Sequence, residues 1–458
     1  MFSQSYAERG IMLACKHATI INLSQHLFKL LFNTKSMNIC IIGAGYVGMV
    51  TGTCFADMGN NVTFIELEEK KVEKINNAMP PIHEERLDEL LRKNMERIKA
   101  TVDYDALENA DIIFICVGTP SMEDGSIDLS YIKNTAEKIG EKLKGKWKTV
   151  VVKSTVTPGT TEGIVVHILE KISGKKAGRD FGAAMNPEFL REGKAVKDFM
   201  NPDRIVLGVM EKKSEKMLRK IYEPFHAPIF ITKPSTAEMI KYASNALLAT
   251  KISFSNEIGN LCKIMGIDTY EVMKAVGMDH RISPHFLNAG AGFGGSCFPK
   301  DLRAIVSMAK KKGYEMELLN SVMNVNEKQP LRMINLLEKH IGKLKEKRVA
   351  VLGLAFKKGT DDIRDSRAIV VIQELLKREA YVSAYDPLAM ENMKKMFGGI
   401  EYCSTINDAI KNADACLIMT DWDEFSSINF SIMKKPVVID GRRVVKDKRG
   451  IIYEGICW

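Results

Sequence analysis

Short runs with apolar interiors recur along this chain without the polar alternation of a half-exposed strand: Asn38–Ile42, Asn61–Glu66, Asp111–Val117 and Thr149–Lys153. A strand with one wet face alternates, so strands that do not alternate are covered on both faces. With helical stretches between them, they predict a parallel, doubly wound sheet. The pattern breaks at Pro224, Pro228 and Pro234 and restarts at Arg348–Leu352, Tyr381–Tyr385, Ala415–Met419 and Pro436–Asp440. Between the two sheets, Ser235-Thr-Ala-Glu238 has capping-box spacing and predicts a helix that runs without a breaker to about Met265. More helices are expected from there to about Leu344. The expected fold is α/β: two doubly wound Rossmann-like domains, residues 37–230 and 345–458, joined by a helical connector, 231–344, with a long central helix. A chain of 458 residues is too long for one core, which agrees with that division.

Residues 1–36 precede this pattern. Their most apolar part, Ile20–Leu31, is interrupted by Asn22, Gln25, His26 and Lys29 and shows no small-residue cleavage pattern. An extension or an upstream start is expected there, not a signal peptide. Nowhere does an apolar run approach the roughly 20 residues of a membrane span. The balance of 66 basic and 57 acidic residues gives +9, a mild bias without the basic block and aromatics of a nucleic-acid surface. Nine scattered cysteines include no C-x-x-C pair, so neither a metal site nor a disulfide framework is expected, and the cytoplasm is the expected compartment.

Gly43-Ala-Gly45-Tyr-Val-Gly48 follows the first strand and opens a helix. Gly43 permits a tight turn, Gly45 lets backbone amides approach a pyrophosphate, and Gly48 lets helix and strand pack closely. Glu66 ends the second strand, where a carboxylate grips ribose hydroxyls and repels a 2′-phosphate, favouring NAD over NADP, although Lys70 and Lys71 follow closely. The corresponding turn of the second domain, Gly353-Leu-Ala-Phe-Lys357, lacks the fingerprint, so a nucleotide other than NAD is expected there.

In Gly292-Phe-Gly294-Gly295-Ser-Cys297-Phe-Pro-Lys300-Asp301 a cysteine follows a glycine run, with a lysine and an aspartate within one turn. A nearby cation lowers a thiol pKa and frees the thiolate as a nucleophile. A buried cysteine beside a surface ion pair fits the spacing equally well. Glu188 and Glu192, four apart, share a face if their segment is helical, as ordinary surface charges also do. Lys241 and Asn245 project from one side of the long helix and can donate to an oxyanion, though a solvated helix face has the same spacing. Lys153-Ser-Thr155 ends a strand, where ligand contacts gather in such sheets.

Together the motifs G-A-G-Y-V-G, C-V-G-T-P, K-S-T-V, N-P-E-F-L-R-E-G, N-P-D-R-I-V-L-G, G-F-G-G-S-C-F-P-K-D and A-F-K-K-G-T-D-D-I-R resemble those of the UDP-glucose 6-dehydrogenase family, from Met37 to about Arg443. The resemblance implies an NAD-dependent, four-electron oxidation of UDP-glucose to UDP-glucuronate through a thiohemiacetal and a thioester on Cys297. It implies that Lys241 and Asn245 stabilise the C6 oxygen, with Lys241 a candidate to take its proton, and that Glu188, Thr155 and Asp301 hold the water. Around the cofactor it adds Tyr46, Val47, Lys71, Thr119, Thr155, Lys300 and Arg364. Toward the UDP-sugar it implies Glu188, Phe189, Leu190 and Glu192, then Lys241, Asn245, Phe286 and Gly294. Lys357 and Arg442 join from the second domain, and Arg281 from a neighbouring subunit, which makes the expected assembly a homo-oligomer. Two departures stand out: Glu66 replaces the usual Asp, and Thr119-Pro-Ser121 the usual T-P-T. The rival readings are a sister dehydrogenase acting on UDP-N-acetylmannosamine or GDP-mannose, a two-electron dehydrogenase of the 6-phosphogluconate type, and a non-catalytic nucleotide-sugar sensor.

Overall fold

The computed structural model describes residues 36–458. All but the last residue of the 1–36 segment lies outside the described residues. The first sheet has eight strands: β1 (Asn38–Ile42), β2 (Asn61–Ile65), β3 (Ile98–Thr101), β4 (Ile112–Ile115), β5 (Thr149–Val152), β6 (Gly182–Met185), β7 (Ile205–Val209) and β8 (Ile229–Thr232). Their order is β3-β2-β1-β4-β5-β6-β7-β8, parallel throughout except where β7 runs against β6. The second sheet has six parallel strands, β9 (Arg348–Leu352), β10 (Tyr381–Tyr385), β11 (Glu401–Tyr402), β12 (Ala415–Ile418), β13 (Val437–Asp440) and β14 (Ile452–Gly455), in the order β11-β10-β9-β12-β13-β14.

Every strand named from its apolar run is present, and β1, β4, β5, β9, β12 and β13 are buried almost end to end. That is what helices on both faces require. The strands not named from the sequence are β3, β6, β7, β8, β11 and β14. β3 alternates at the sheet edge, β6 is Gly-Ala-Ala-Met, and β11 has two residues, so none of these three carries a long β-branched signal, whereas β7, Ile-Val-Leu-Gly-Val, is an apolar run that went unnamed.

The central helix spans Pro234–Met265, 32 residues, and closes on Gly266 in the left-handed region. Its start differs from the expected capping box. Pro234 occupies the first turn, Lys233 caps without a side-chain bond, and Glu238 turns away. The Glu238 carboxylate accepts from Gly159 N (2.6 Å), Thr161 N (2.8 Å) and Thr161 Oγ1 (2.7 Å). It therefore ties the helix to the loop that follows β5. Helices Phe298–Lys311 and Glu317–Ile341 pack on the central helix, and the latter also packs on the second sheet. No helix among the described residues is long and apolar enough to cross a membrane.

Candidate active site

The carboxyl ends of the first sheet's strands carry the glycine turn, Glu66, Lys153–Thr155 and Asn186–Glu188, as a doubly wound sheet dictates. In the glycine turn each position has a separate reason. Gly43 has φ +95°, and a Cβ there would stand 2.8 Å from Cys116 O. A Cβ at Gly48 would stand 1.9 Å from Gly43 O, so helix Tyr46–Asp57 lies against the turn. A Cβ at Gly45 would meet nothing within 4 Å, and no side chain caps the helix it begins. The turn thus presents free amides, and the positive end of a helix, to open space. A pyrophosphate fits there.

Glu66 Oε2 accepts from Ala44 N (2.9 Å) and Oε1 from Glu68 N (3.2 Å), which fixes the carboxylate beside the turn. Lys71 pairs with Glu68 at 2.9 Å and is not held on Glu66. Thr119 donates to Thr155 O (3.0 Å), joining the loops after β4 and β5. These residues fit NAD, and a carboxylate at Glu66 disfavours the phosphate of NADP.

The second sheet repeats this geometry with one change. Gly353 N donates to Tyr385 O (2.8 Å) as Gly43 N does to Ile65 O (2.9 Å). Asp386 then stands where Glu66 stands. It is fully buried and accepts from Leu354 N (2.7 Å), Ala355 N (3.0 Å), Leu388 N (2.9 Å), Ala389 N (2.8 Å) and Trp422 Nε1 (3.0 Å). Its acceptor capacity is filled by the protein, leaving little for a ribose.

A cleft of about 1270 Å³ opens between the loop after β6, the central helix, residues 281–286, the glycine run 294–297 and Phe356–Lys357. Of the expected substrate residues Glu188, Phe189, Leu190, Glu192, Lys241, Asn245, Arg281, Phe286, Gly294 and Lys357 all line it, as does Cys297. Arg442 does not. It lies half-buried behind the glycine run, donating to Met419 O (2.8 Å) and Gly292 O (3.3 Å). Arg281 stands exposed on the rim, paired with Asp279 at 2.6 Å.

At the floor Lys241 Nζ meets Glu188 Oε1 at 2.8 Å, and both side chains are buried. Burial pulls Lys241 down, but Glu188, Cys297 and Asp301 outweigh it and hold the ammonium above its ordinary pKa. Burial likewise raises Glu188, and Lys241 more than reverses it. One turn along the helix, Asn245 Nδ2 donates to Asp301 Oδ2 (2.7 Å), whose other oxygen takes Lys300 Nζ at 2.6 Å. The i, i+4 spacing of Lys241 and Asn245 therefore marks a buried face that lines the cleft, not a solvated one.

Two electrostatic expectations are corrected. Lys300, the cation within one turn of Cys297, is spent on Asp301, and the cation that faces the thiol is Lys241. Burial first, then the Glu188 carboxylate, push the Cys297 thiol up to about 11, with Lys241 pulling the other way. The free thiol is thus protonated near neutrality. Glu188 and Glu192 lie on a loop, not a helix, and diverge. Glu192 accepts from Ser296 Oγ (2.9 Å) beside Arg364, whose guanidinium is held mainly by Asp362 at 2.6 Å. Burial and Asp362 raise the Glu192 carboxyl to about 7. Burial lowers Lys357, against the pull of Glu192.

Sequence reasoning passed over the residues that shape the glycine run. Asn326 Oδ1 accepts from Phe293 N (2.7 Å) and its Nδ2 donates to Phe293 O (3.0 Å). Gln329 donates to Gly290 O (3.0 Å), and Asn256 accepts from Gly290 N (2.7 Å). Amides three apart on one helix face, amid apolar positions, were the available signal. Lys153, named only for its place at a strand end, is a buried lysine bonded to Asn186 Oδ1 (2.8 Å), drawn down to about 8 by burial.

Three consecutive parts of the sequence match the UDP-glucose/GDP-mannose dehydrogenase family: its NAD binding domain over residues 37–226, its central domain over 235–328 and its UDP binding domain over 350–447. The chain is 47% identical over 430 residues to UDP-glucose 6-dehydrogenase AglM of Haloferax volcanii, covering 92% of this chain and 100% of the relative. It is 43% identical to UDP-glucose 6-dehydrogenase TuaD of Bacillus subtilis, covering 91% and 92%. Among solved structures, a UDP-glucose dehydrogenase from Pyrobaculum islandicum superposes with a TM-score of 0.89 at 41% identity, covering 93% of this chain and 99% of that one. A UDP-D-ManNAc dehydrogenase from Pyrococcus horikoshii gives 0.83 at 30% identity, covering 92% and 99%.

Proposed function

The chain belongs to the UDP-glucose/GDP-mannose dehydrogenase family of NAD-dependent nucleotide-sugar oxidoreductases, and we propose that it oxidises UDP-glucose to UDP-glucuronate in two steps on Cys297. One observation carries the reading. Cys297, the Lys241–Glu188 pair and the Asn245–Asp301 pair converge at the floor of a cleft walled by both sheets' loops. The relatives whose names specify UDP-glucose are those at 41–47% identity, whereas the UDP-D-ManNAc enzyme stands at 30%.

Lys241 enters as an ammonium held by Glu188, so its work is to stabilise oxygen at C6, with Asn245 donating beside it. Its raised pKa makes it a poor acceptor for the alcohol proton, which passes instead to water held by Asp301 and Thr155. Bound NAD supplies the oxidising equivalent of each step. The thiol of Cys297 adds to the aldehyde carbon and its proton passes to the aldehyde oxygen as the new C–S bond forms, giving the thiohemiacetal, with Lys241 steadying that oxygen. After the second oxidation leaves a thioester, water placed by Glu188 and Asp301 adds to the carbonyl, and the thiolate leaves and is reprotonated. Glu192 and Lys357 hold the UDP-sugar, Arg364 stands toward the cofactor, and the half-buried Arg442 shapes the glycine run from behind.

The reading extends to a homo-oligomer in the reducing cytoplasm. Leu247, Phe254 and Leu261 recur every seven residues along the central helix and are exposed in the single chain, which supports a second copy packed there, with Arg281 reaching the neighbouring cleft.

Incubation with UDP-glucose and excess NAD is expected to yield two NADH per sugar; a ratio of one, or none, would sink the reading. Cys297→Ser is expected to accumulate an adduct or stall, seen by intact mass, and full turnover in that variant would remove the thiol route.

A further inference from the structure

The N–H of Gly193 stands between the two ligand sites. It donates to the hydroxyl of Tyr46 (2.6 Å) and to Glu84 Oε2 (2.7 Å), while Glu84 Oε1 accepts from Ala195 N (2.8 Å). Tyr46 is the first residue of the helix whose amides face the open pyrophosphate position. Gly193 closes the loop that carries Glu188, Phe189, Leu190 and Glu192 into the cleft. On its other side a Cβ at Gly193 would stand 2.7 Å from Gly359 O, so the same point of chain bears on the second sheet's loop beside Lys357. Glu84, on a loop that no motif marked, is buried and contributes to the charge environment of Lys357.

We propose that Tyr46 is a positioning residue that couples the two sites: order imposed on the glycine turn by the dinucleotide passes through its hydroxyl to the Gly193 loop and so to the nucleotide-sugar. The N–H keeps Glu84 as an acceptor when the hydroxyl is removed, so the loop stays satisfied and folded but is no longer tied to the cofactor helix. Coupling of this kind is reciprocal, so each ligand tightens the other by the same factor. It rests on the functional reading above, because it needs both ligands.

The test is a fluorescence titration of NADH with and without saturating UDP-glucose, a pair that cannot react because the cofactor is already reduced. In the wild type UDP-glucose is expected to tighten NADH about fivefold or more. In Tyr46→Phe that factor is expected to fall below about twofold. A merely structural role would weaken each ligand and leave the factor alone. Glu84→Gln is expected to loosen UDP-glucose while keeping the factor. An unchanged factor in Tyr46→Phe, or none in the wild type, overturns the coupling. A wild type that forms no NADH from UDP-glucose and NAD overturns the functional reading itself, whereas an active enzyme with an unchanged factor overturns the coupling alone.

Discussion

Lys241 Nζ and Glu188 Oε1 face each other at 2.8 Å with side chains 4% and 6% exposed, so each charge depends on the other to exist there. Removing one partner of such a pair leaves an uncompensated buried charge, at a cost of about 3–5 kcal/mol. Lys241→Met is expected to lose about that much in urea unfolding, and Glu188→Gln/Lys241→Met to recover most of it. Both should lose about 100-fold or more in kcat, because the oxygen at C6 has lost its cation. A double variant no more stable than Lys241→Met would show that the pairing is not what holds the floor together.

The position of the Cys297 thiol, up at about 11, sets a pH dependence. Thiolate is the reactive form and its fraction rises as pH rises toward that value. Alkylation of the free enzyme by iodoacetamide should therefore climb about tenfold per pH unit from 7 to 9 with no plateau. Asp301→Asn removes a carboxylate that pushes the thiol up, so its curve should shift to lower pH. A plateau near pH 7 in the wild type would mean that Lys241 prevails over burial.

Gly45 and Gly48 separate ligand space from packing space. Gly45→Ala meets no protein atom within 4 Å, in extended backbone that alanine accepts, so thermal stability should hold while the KM for NAD rises. Gly48→Ala drives a Cβ against Gly43 O and should lower both stability, by about 1–3 kcal/mol, and NAD affinity. If Gly45→Ala leaves the KM unchanged, the pyrophosphate does not lie where the turn is open.

Glu66 is expected to select the cofactor. Glu66→Ala should lower kcat/KM with NAD about 10- to 100-fold, the worth of a charged hydrogen bond to ribose, and leave NADP use unchanged or improved. The ratio of the two kcat/KM values decides it, and a ratio unmoved by the substitution would take selection away from this carboxylate.

Local order was the legible part. Apolar runs marked most of the strands that lie inside each sheet, because a strand covered on both faces has no room for polar alternation. They missed β6 and β11, whose residues are too small or too few to carry that signal. In the site, Lys241 and Asn245 were readable as a pair because helix geometry ties positions four apart. Their partners Glu188 and Asp301 arrive from other elements, at distances in sequence that no spacing rule reaches. The same gap explains the error at Cys297. The cation near in sequence, Lys300, is occupied by Asp301, and the burial that dominates the thiol is a property of the closed cleft. Glu84 and Asp386 were invisible for a related reason: each is an ordinary loop carboxylate until the fold surrounds it with amides.

Asp386, sealed by four amides and an indole, bears on the order of events during turnover. Among the described residues, two sheets of like topology give one open dinucleotide socket, not two. A reaction that consumes two equivalents of oxidant must then empty and refill that socket midway, while a half-oxidised sugar waits. Retention through the exchange is the burden placed on the cleft, and on the route proposed above a covalent bond to Cys297 would let a reactive aldehyde outlast the departure of its first oxidant.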